Sequence, residues 1–193
     1  MNEFFAFLDK ISPLSQAIRE YFLTVMVERN VRRNEFLVKA GQINNNLYFI
    51  NKGLVRCYYL KKDEKEMSDR EVSIYFFMEN DVIASTWSYI NQKPGQEWMI
   101  ALEDCTICSI SFSDLDKAYT LFPELNLHGR LVTQKYSTLW YTILRGIRTQ
   151  TAKERYQFLL DHFPRFLQRV PGKYLASYLG INAVTLSRIK KKK

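Results

Sequence analysis

Histidine is nearly absent from this chain: His128 and His162 are the only two in 193 residues. A metal-dependent oxygenase or isomerase built on a small barrel needs two or three histidines with a carboxylate around one cavity. Both histidines here fall in segments with helical patterning, so that class is excluded. Ser–His or Cys–His nucleophilic chemistry would need one of the same two beside a nucleophile, and nothing in the sequence suggests such a meeting. An enzyme is therefore not expected. Glycine is also scarce, with seven residues too scattered for a phosphate-cradling loop. The three cysteines, Cys57, Cys105 and Cys108, are an odd set, which argues against a disulfide framework. Cys105 and Cys108 form a C-x-x-C inside C-T-I-C-S-I-S-F, a strand pattern that sends the two thiols to opposite faces. A metal would want a second pair of ligands, and none is spaced nearby. Packing is the better reading, and neither metal nor cofactor is expected.

Long apolar runs are missing too, so no segment is expected to span a bilayer. The start, M-N-E-F-F-A-F-L-D-K, puts Glu3 before its apolar patch and Asp9 after it. It lacks the basic start and small-residue cleavage site of a secretory signal. The expectation is a cytoplasmic protein with no membrane partner.

The chain is 47% hydrophobic, with 12 Tyr and 13 Phe, enough to bury one large core or one medium and one small. Its net charge of +8 is unevenly placed. From Leu144 onward there are 12 Lys and Arg against Glu154 and Asp161 alone, while residues 1–143 hold 16 bases and 18 acids. That asymmetry is the footprint of a protein whose end meets a polyanion. A membrane surface could also attract Lys190 to Lys193, but what precedes them is not one long amphipathic face.

Residues 2–27 read as helical, broken at Ser12-Pro13, where Ser12 can cap and Pro13 suits a first turn. Strand signals run from about Val31 to Phe112. Leu47–Leu60 reads as two strands around the hairpin turn Asn51-Lys52-Gly53. Lys61 to Arg70 reads as a solvated loop, and Val72–Phe77 returns as a strand. Asn80-Asp81 turns into Val82-Ile83-Ala84, Ser85–Tyr89 forms a short helical turn, and Asn91–Gln96 is a loop. Trp98–Ala101 and Cys105–Ser111 are further strands. Short strands at this spacing predict an antiparallel barrel or jelly roll, giving an α+β fold. Ser113 is read as the cap of a short helix. Pro123 opens a long one reaching about Thr149, apolar on two sides. One side can cover the barrel and the other can pair with the same helix of a second subunit, with Val132, Tyr136, Leu139 and Ile143 assigned to the seam. A second stripe holds Leu127, Leu131, Trp140, Tyr141, Leu144 and Ile147. Thr151 and Glu154 form a capping box for the next helix, and Pro164 and Pro171 bracket a link.

The end, V-P-G-K-Y-L-A-S-Y-L-G-I-N-A-V-T-L-S-R-I-K-K-K-K, patterns as a helix-turn-helix. Leu175, Ala176 and Leu179 line a first helix, with Ala176 small where a second must cross. Gly180 supplies the positive φ of the turn. Asn182 caps a second helix, whose Leu186 and Ile189 face inward with Ile181. Ala183, Val184, Thr185, Ser187, Arg188 and Lys190 face out, a short, polar or cationic set suited to a major groove. A helical pair that closes the fold or binds another protein is the plainer alternative.

In this order, and in A-L-E-D-C at Ala101–Cys105, F-P-E-L at Phe122–Leu125, E-R-Y-x-x-L-L at Glu154–Leu160 and the V-P-G-K-Y-L-A-S-Y-L-G-I-N-A-V-T-L-S-R-I end, the chain resembles the Crp/Fnr transcription regulators. The resemblance implies a cyclic-nucleotide-binding-like sensor over residues 1–120, a dimerisation helix over 121–150 and a DNA-binding domain over 151–193. It implies a homodimer on double-stranded DNA, with RNA polymerase and a small-molecule effector as further partners. Arg188 is assigned to a base edge, Val184 or Ala183 to a thymine methyl, and Thr185, Ser187 and Lys190 to phosphates, with Asn182 at the helix start. Cyclic-AMP-binding members carry Gly-Glu and Arg-Ser pairs. Here Ala84-Ser85 and Gly95-Gln96 stand in their places, so the charge-assisted grip on a cyclic phosphate is missing. No tight cyclic-nucleotide binding is expected. Any other ligand would meet Ala84, Ser85, Thr86, Gln96 and Trp98. An iron–sulfur variant would need clustered N-terminal cysteines, and the first here is Cys57. The alternative function is a ligand-binding or protein-interaction dimer that has lost sequence-specific DNA binding.

Overall fold

The computed structural model describes residues 1–63 and 68–191. The chain forms two compact units. One comprises residues 1–56 and 77–136, the other 57–76 and 137–193.

The first unit opens with α1 (Asn2–Asp9) and α2 (Gln16–Val25). The break between them lies where expected, but the cap is Ser15, whose side chain accepts from the Ile18 amide, rather than Ser12. Ser12 and Pro13 lie in the link before α2, where Asp9 accepts from the Leu14 amide at 3.0 Å. Phe4, Phe5, Leu8, Ile18 and Phe22 turn inward onto Phe49, Cys108 and Ile110, with Phe4 edge-on to Phe22 and to Phe49 at 5.4 Å each. Edge-to-face rings add about 0.5–1.5 kcal/mol beyond their burial.

Among the described residues the strands are β1 (Val27–Val31), β2 (Phe36–Val38), β3 (Asn46–Lys52), β4 (Val55–Asp63), β5 (Ser68–Phe77), β6 (Val82–Ile83), β7 (Trp98–Ala101) and β8 (Cys105–Ser111). They form two four-stranded antiparallel sheets of order β1-β8-β3-β6 and β2-β7-β4-β5, not a closed barrel. The expected hairpin around Asn51–Gly53 does not exist as a ladder, because β3 and β4 belong to different sheets. Gly53, at φ +115°, turns the chain from one sheet to the other, and a Cβ there would lie 2.3 Å from Cys105 Sγ. Strand structure also begins earlier than expected, at Val27, and Lys61–Arg70 is not a simple loop. β4 reaches Asp63 and β5 starts at Ser68, while residues 64–67 of that stretch lie outside the described residues. Cys105 and Cys108 are buried free thiols on opposite faces of β8: Cys105 abuts Gly53, while Cys108 receives the Asn51 amide at 3.3 Å.

Helix α3 (Thr86–Asn91) follows β6, and α4 (Phe112–Leu121) follows β8. Ser111, not Ser113, caps α4 by accepting from the Asp114 amide at 3.0 Å. Helix α5 (Leu125–Thr149) is the long helix read from the sequence. His128 on it is buried, with Nε2 2.9 Å from the Ser12 carbonyl oxygen.

The second unit contains the end of α5, then α6 (Ala152–His162), α7 (Pro164–Arg169), α8 (Gly172–Tyr178) and α9 (Ala183–Lys191). Thr151 and Glu154 form the capping box of α6. The stretch bracketed by Pro164 and Pro171 is itself helical, with Pro164 at its first turn, where a missing N–H costs nothing. His162 is exposed and stacks on Phe158 at 4.4 Å. No helix among the described residues is long and apolar enough to cross a membrane, and none of their His, Cys, Asp and Glu side chains gather in threes around a metal-sized space.

Candidate nucleic-acid interface

Helices α8 and α9 meet through local chemistry. Leu175, Ala176, Leu179 and Leu186 are buried, and each fully buried leucine contributes about 1.5–3 kcal/mol. Gly180, at φ +69°, ends α8, and the Ile181 amide donates back to the Ala176 carbonyl at 3.0 Å. Asn182 Oδ1 then accepts from the Thr185 amide at 2.8 Å and starts α9.

With Leu186 inward, the opposite face of α9 is open. Asn182, Ala183, Val184, Ser187, Arg188 and Lys190 are exposed, and Thr185 is half-buried. Val184 leaves 60% of its surface uncovered, an apolar side chain of the right size to meet a thymine methyl. Arg188, Lys190 and Lys191 sit in the last turn, where the helix carbonyls favour positive charge. Lys192 and Lys193 of the basic tail lie outside the described residues. Elsewhere in this unit Arg145, Arg148, Lys153, Arg165 and Lys173 are exposed. Arg155 instead turns its guanidinium to backbone carbonyls of its own unit.

The residues assigned to a ligand differ widely in exposure. Ser85 is buried at 1% exposure, Ala84 is half-buried, Thr86 and Gln96 are exposed, and Trp98 lies edge-on to Phe36 at 5.3 Å. Around Ser85 the sequence reading missed a buried polar network. Asn44 Oδ1 accepts from the Ser85 amide at 2.7 Å. The Asn44 amide donates to Ser88 Oγ at 2.9 Å, and Ser88 Oγ donates to the Lys93 carbonyl at 2.6 Å. Gly95 closes on the same group: a Cβ there would lie 2.9 Å from Ser88 Cβ and 3.0 Å from Ser85 Oγ. Arg56 on β4 is another buried polar residue that no local pattern announced.

On α5, Val132, Tyr136, Leu139 and Ile143 are half-buried, and Tyr136 is engaged within its own unit. Its hydroxyl accepts from the Val82 amide at 2.7 Å and donates to Asp81 at 3.1 Å. Burial raises the Asp81 carboxyl above its ordinary value. The exposed apolar positions are those of the second stripe: Tyr141, Leu144 and Ile147 are 65%, 59% and 57% exposed.

Residues 28–120 match the cyclic nucleotide-binding domain family. Over 87% of its length the chain superposes on 84% of FixK2 from Bradyrhizobium japonicum, at TM-score 0.73 and 20% identity. The chain has the Crp/Fnr fold. The c-di-GMP-responsive regulator CLP of Xanthomonas campestris matches 92% of it over 91% of its own chain, at TM-score 0.70 and 18% identity. A putative Crp/Fnr regulator from Eubacterium rectale matches 93% over 83%, at TM-score 0.65 and 15% identity. No curated protein sequence matches the chain significantly.

Proposed function

We propose that this protein is a homodimeric, DNA-binding transcription regulator of the Crp/Fnr type, acting in the cytoplasm, with residues 151–193 as its DNA-binding segment. The observation that carries the reading is the outward face of α9, where a capped helix presents short side chains and the exposed cations Arg188, Lys190 and Lys191 over a buried leucine. Arg188 reads a base edge, most naturally guanine, and Val184 or Ala183 meets a thymine methyl. Ser187 and Lys190 hold phosphates, which set register without reading sequence. The second copy covers Tyr141, Leu144 and Ile147 on α5, so that two α9 helices address half-sites about one helical turn apart.

Cyclic AMP is not the effector. Gly95 stands where an arginine would grip the phosphate, and the neighbouring hydroxyl of Ser88 already serves the protein's own backbone. Another effector, and RNA polymerase, remain the partners that the Crp/Fnr fold suggests.

Titration with mixed-sequence duplex at two salt concentrations tests the core of this reading. Counterion release makes affinity fall steeply as salt rises. Absence of binding at low salt favours a ligand-binding or protein-interaction dimer instead. In a second step Arg188→Ala should lower preference for a selected site by about 1–3 kcal/mol, whereas Lys190→Ala should weaken all duplexes alike and reduce the salt slope by about one. Equal losses on selected and random duplexes in Arg188→Ala would make Arg188 a phosphate contact only.

A further inference from the structure

We propose that Ser177 clasps the backbone of β5 at Glu71 and Ser73 and so sets the orientation of the DNA-reading helix, which makes Ser177 a positioning residue for sequence recognition. The proposal rests on the DNA-binding reading above.

β5 is the terminal strand of its sheet among the described residues, the place where a side chain can meet strand backbone groups. Residues two apart in a strand present their N–H and C=O groups to the same edge. Ser177 Oγ lies between two such groups. It accepts from the Ser73 amide at 3.0 Å and donates to the Glu71 carbonyl at 3.1 Å. One hydroxyl thus uses both its donor and an acceptor site on a strand edge. Ser73 is only 4% exposed, so its amide has little access to water if Ser177 withdraws.

The next residue of α8 anchors the same contact with apolar surface. Tyr178 lies 5.8 Å from Phe76, 5.9 Å from Phe166 and 6.5 Å from Tyr75, centroid to centroid. Phe76 is edge-on to Phe166 at 5.1 Å, and Tyr75 meets Trp140 at 5.0 Å. These rings hold α8 against the strand, but ring contacts tolerate sliding. The two hydrogen bonds do not, because their partners are fixed points along β5. Rotation of α8 about its axis breaks both. Helix α9 follows α8 through the Gly180 turn and the buried Leu175, Leu179 and Leu186. The angle at which Arg188 leaves the protein is therefore set at Ser177, a residue outside the reading face.

The test uses the full chain. Wild-type protein selects its preferred duplex from a random pool. Ser177→Ala and Ser177→Thr are then measured on that duplex and on a scrambled one, and amide exchange is followed at Ser73. Ser177→Ala should cut the selected-to-scrambled affinity ratio by about tenfold, the order of one mismatched base pair, with scrambled affinity and salt slope unchanged. The Ser73 amide should exchange at least about tenfold faster as its local protection is lost. Ser177→Thr, which keeps a hydroxyl, should restore both. Faster Ser73 exchange with an unaltered ratio overturns the positioning role. So does an equal loss on both duplexes, or a specificity loss in Ser177→Thr as large as in Ser177→Ala while Ser73 stays protected. Failure of the wild type to bind any duplex at low salt overturns the DNA-binding reading itself, and with it the role in recognition. Slow Ser73 exchange in that same protein would still show the clasp to be formed.

Discussion

The Arg155 guanidinium joins two helix ends. It donates to the Gln150 carbonyl at 2.6 Å, just past α5, and to the Leu179 carbonyl at 2.8 Å, at the end of α8. Helix C-termini carry partial negative charge and unsatisfied carbonyls, so one planar fork meets two needs. Hydrogen bonds to charged groups contribute about 1.5–3 kcal/mol. Arg155→Met should lower the stability of the second unit by that order, read as a shifted urea midpoint in Trp140 fluorescence. Arg155→Lys should recover part of the loss, because an ammonium lacks the fork. The salt slope of DNA binding should stay at the wild-type value in both, since this cation already serves the protein's own backbone.

Gly180→Ala isolates a backbone cost. The residue sits at φ +69°, and nothing lies within 4 Å of an added Cβ. The penalty is therefore conformational alone, about 1–2 kcal/mol. Gly53→Ala should cost distinctly more, because its φ of +115° is joined by a Cβ collision with Cys105. Paired urea titrations would show the ranking, and a Gly180 variant as damaged as the Gly53 variant would contradict it.

In the proposed homodimer, the exposed stripe of α5 is where two copies meet. Leu144→Glu combined with Ile147→Glu should convert the protein from dimer to monomer in sedimentation velocity, with its helical content unchanged, because both side chains are more than half exposed within the chain. Buried apolar area of this kind is worth about 25 cal/mol per Å². Like charges facing each other across the seam would add repulsion. Retention of the dimer would move the seam elsewhere.

Tyr178 predicts an alkaline transition. Burial pushes its phenol up from 10.0 to about 12. The folded state favours the protonated form, so this stability is fully present below pH 10, where the unfolded phenol titrates, and declines as pH rises through about 12. A shift of two units corresponds to roughly 3 kcal/mol. Unfolding of the second unit followed between pH 9 and pH 12 should show the decline, and Tyr178→Phe should flatten Tyr178's share of it.

Legibility followed the range of the interactions. Leu175, Ala176, Leu179, Gly180, Asn182 and Leu186 lie within 12 residues, so their spacing and capping chemistry are enough to describe α8 and α9 from the local sequence. The α6 capping box and the length of α5 were legible for the same reason. Errors arose where partners are distant. Gly53 reads as a hairpin glycine until Cys105, 52 residues away, shows that the chain is changing sheets. Val27–Val31 is V-E-R-N-V, largely exposed at the end of its sheet, and so carries little of the alternation that marks a half-buried strand. Charge at Lys61 and Lys62 signals solvent, which an exposed strand end meets as readily as a loop. The polar group around Ser85 depends on Asn44, and the Ser177 clasp on Ser73, more than a hundred residues upstream. No local window contains either pair.

On the proposed reading, in which the site does not grip a cyclic phosphate, Gly95 makes a phosphate-gripping arginine hard to install by one substitution. An arginine placed there would bring its Cβ against Ser88 and Ser85 before its guanidinium could reach any ligand. Making room would mean giving up the hydroxyl that holds the Asn44 amide and the Lys93 carbonyl in place. A nucleotide-gripping variant of this site would need Ser88 and its two backbone contacts rebuilt together with Gly95.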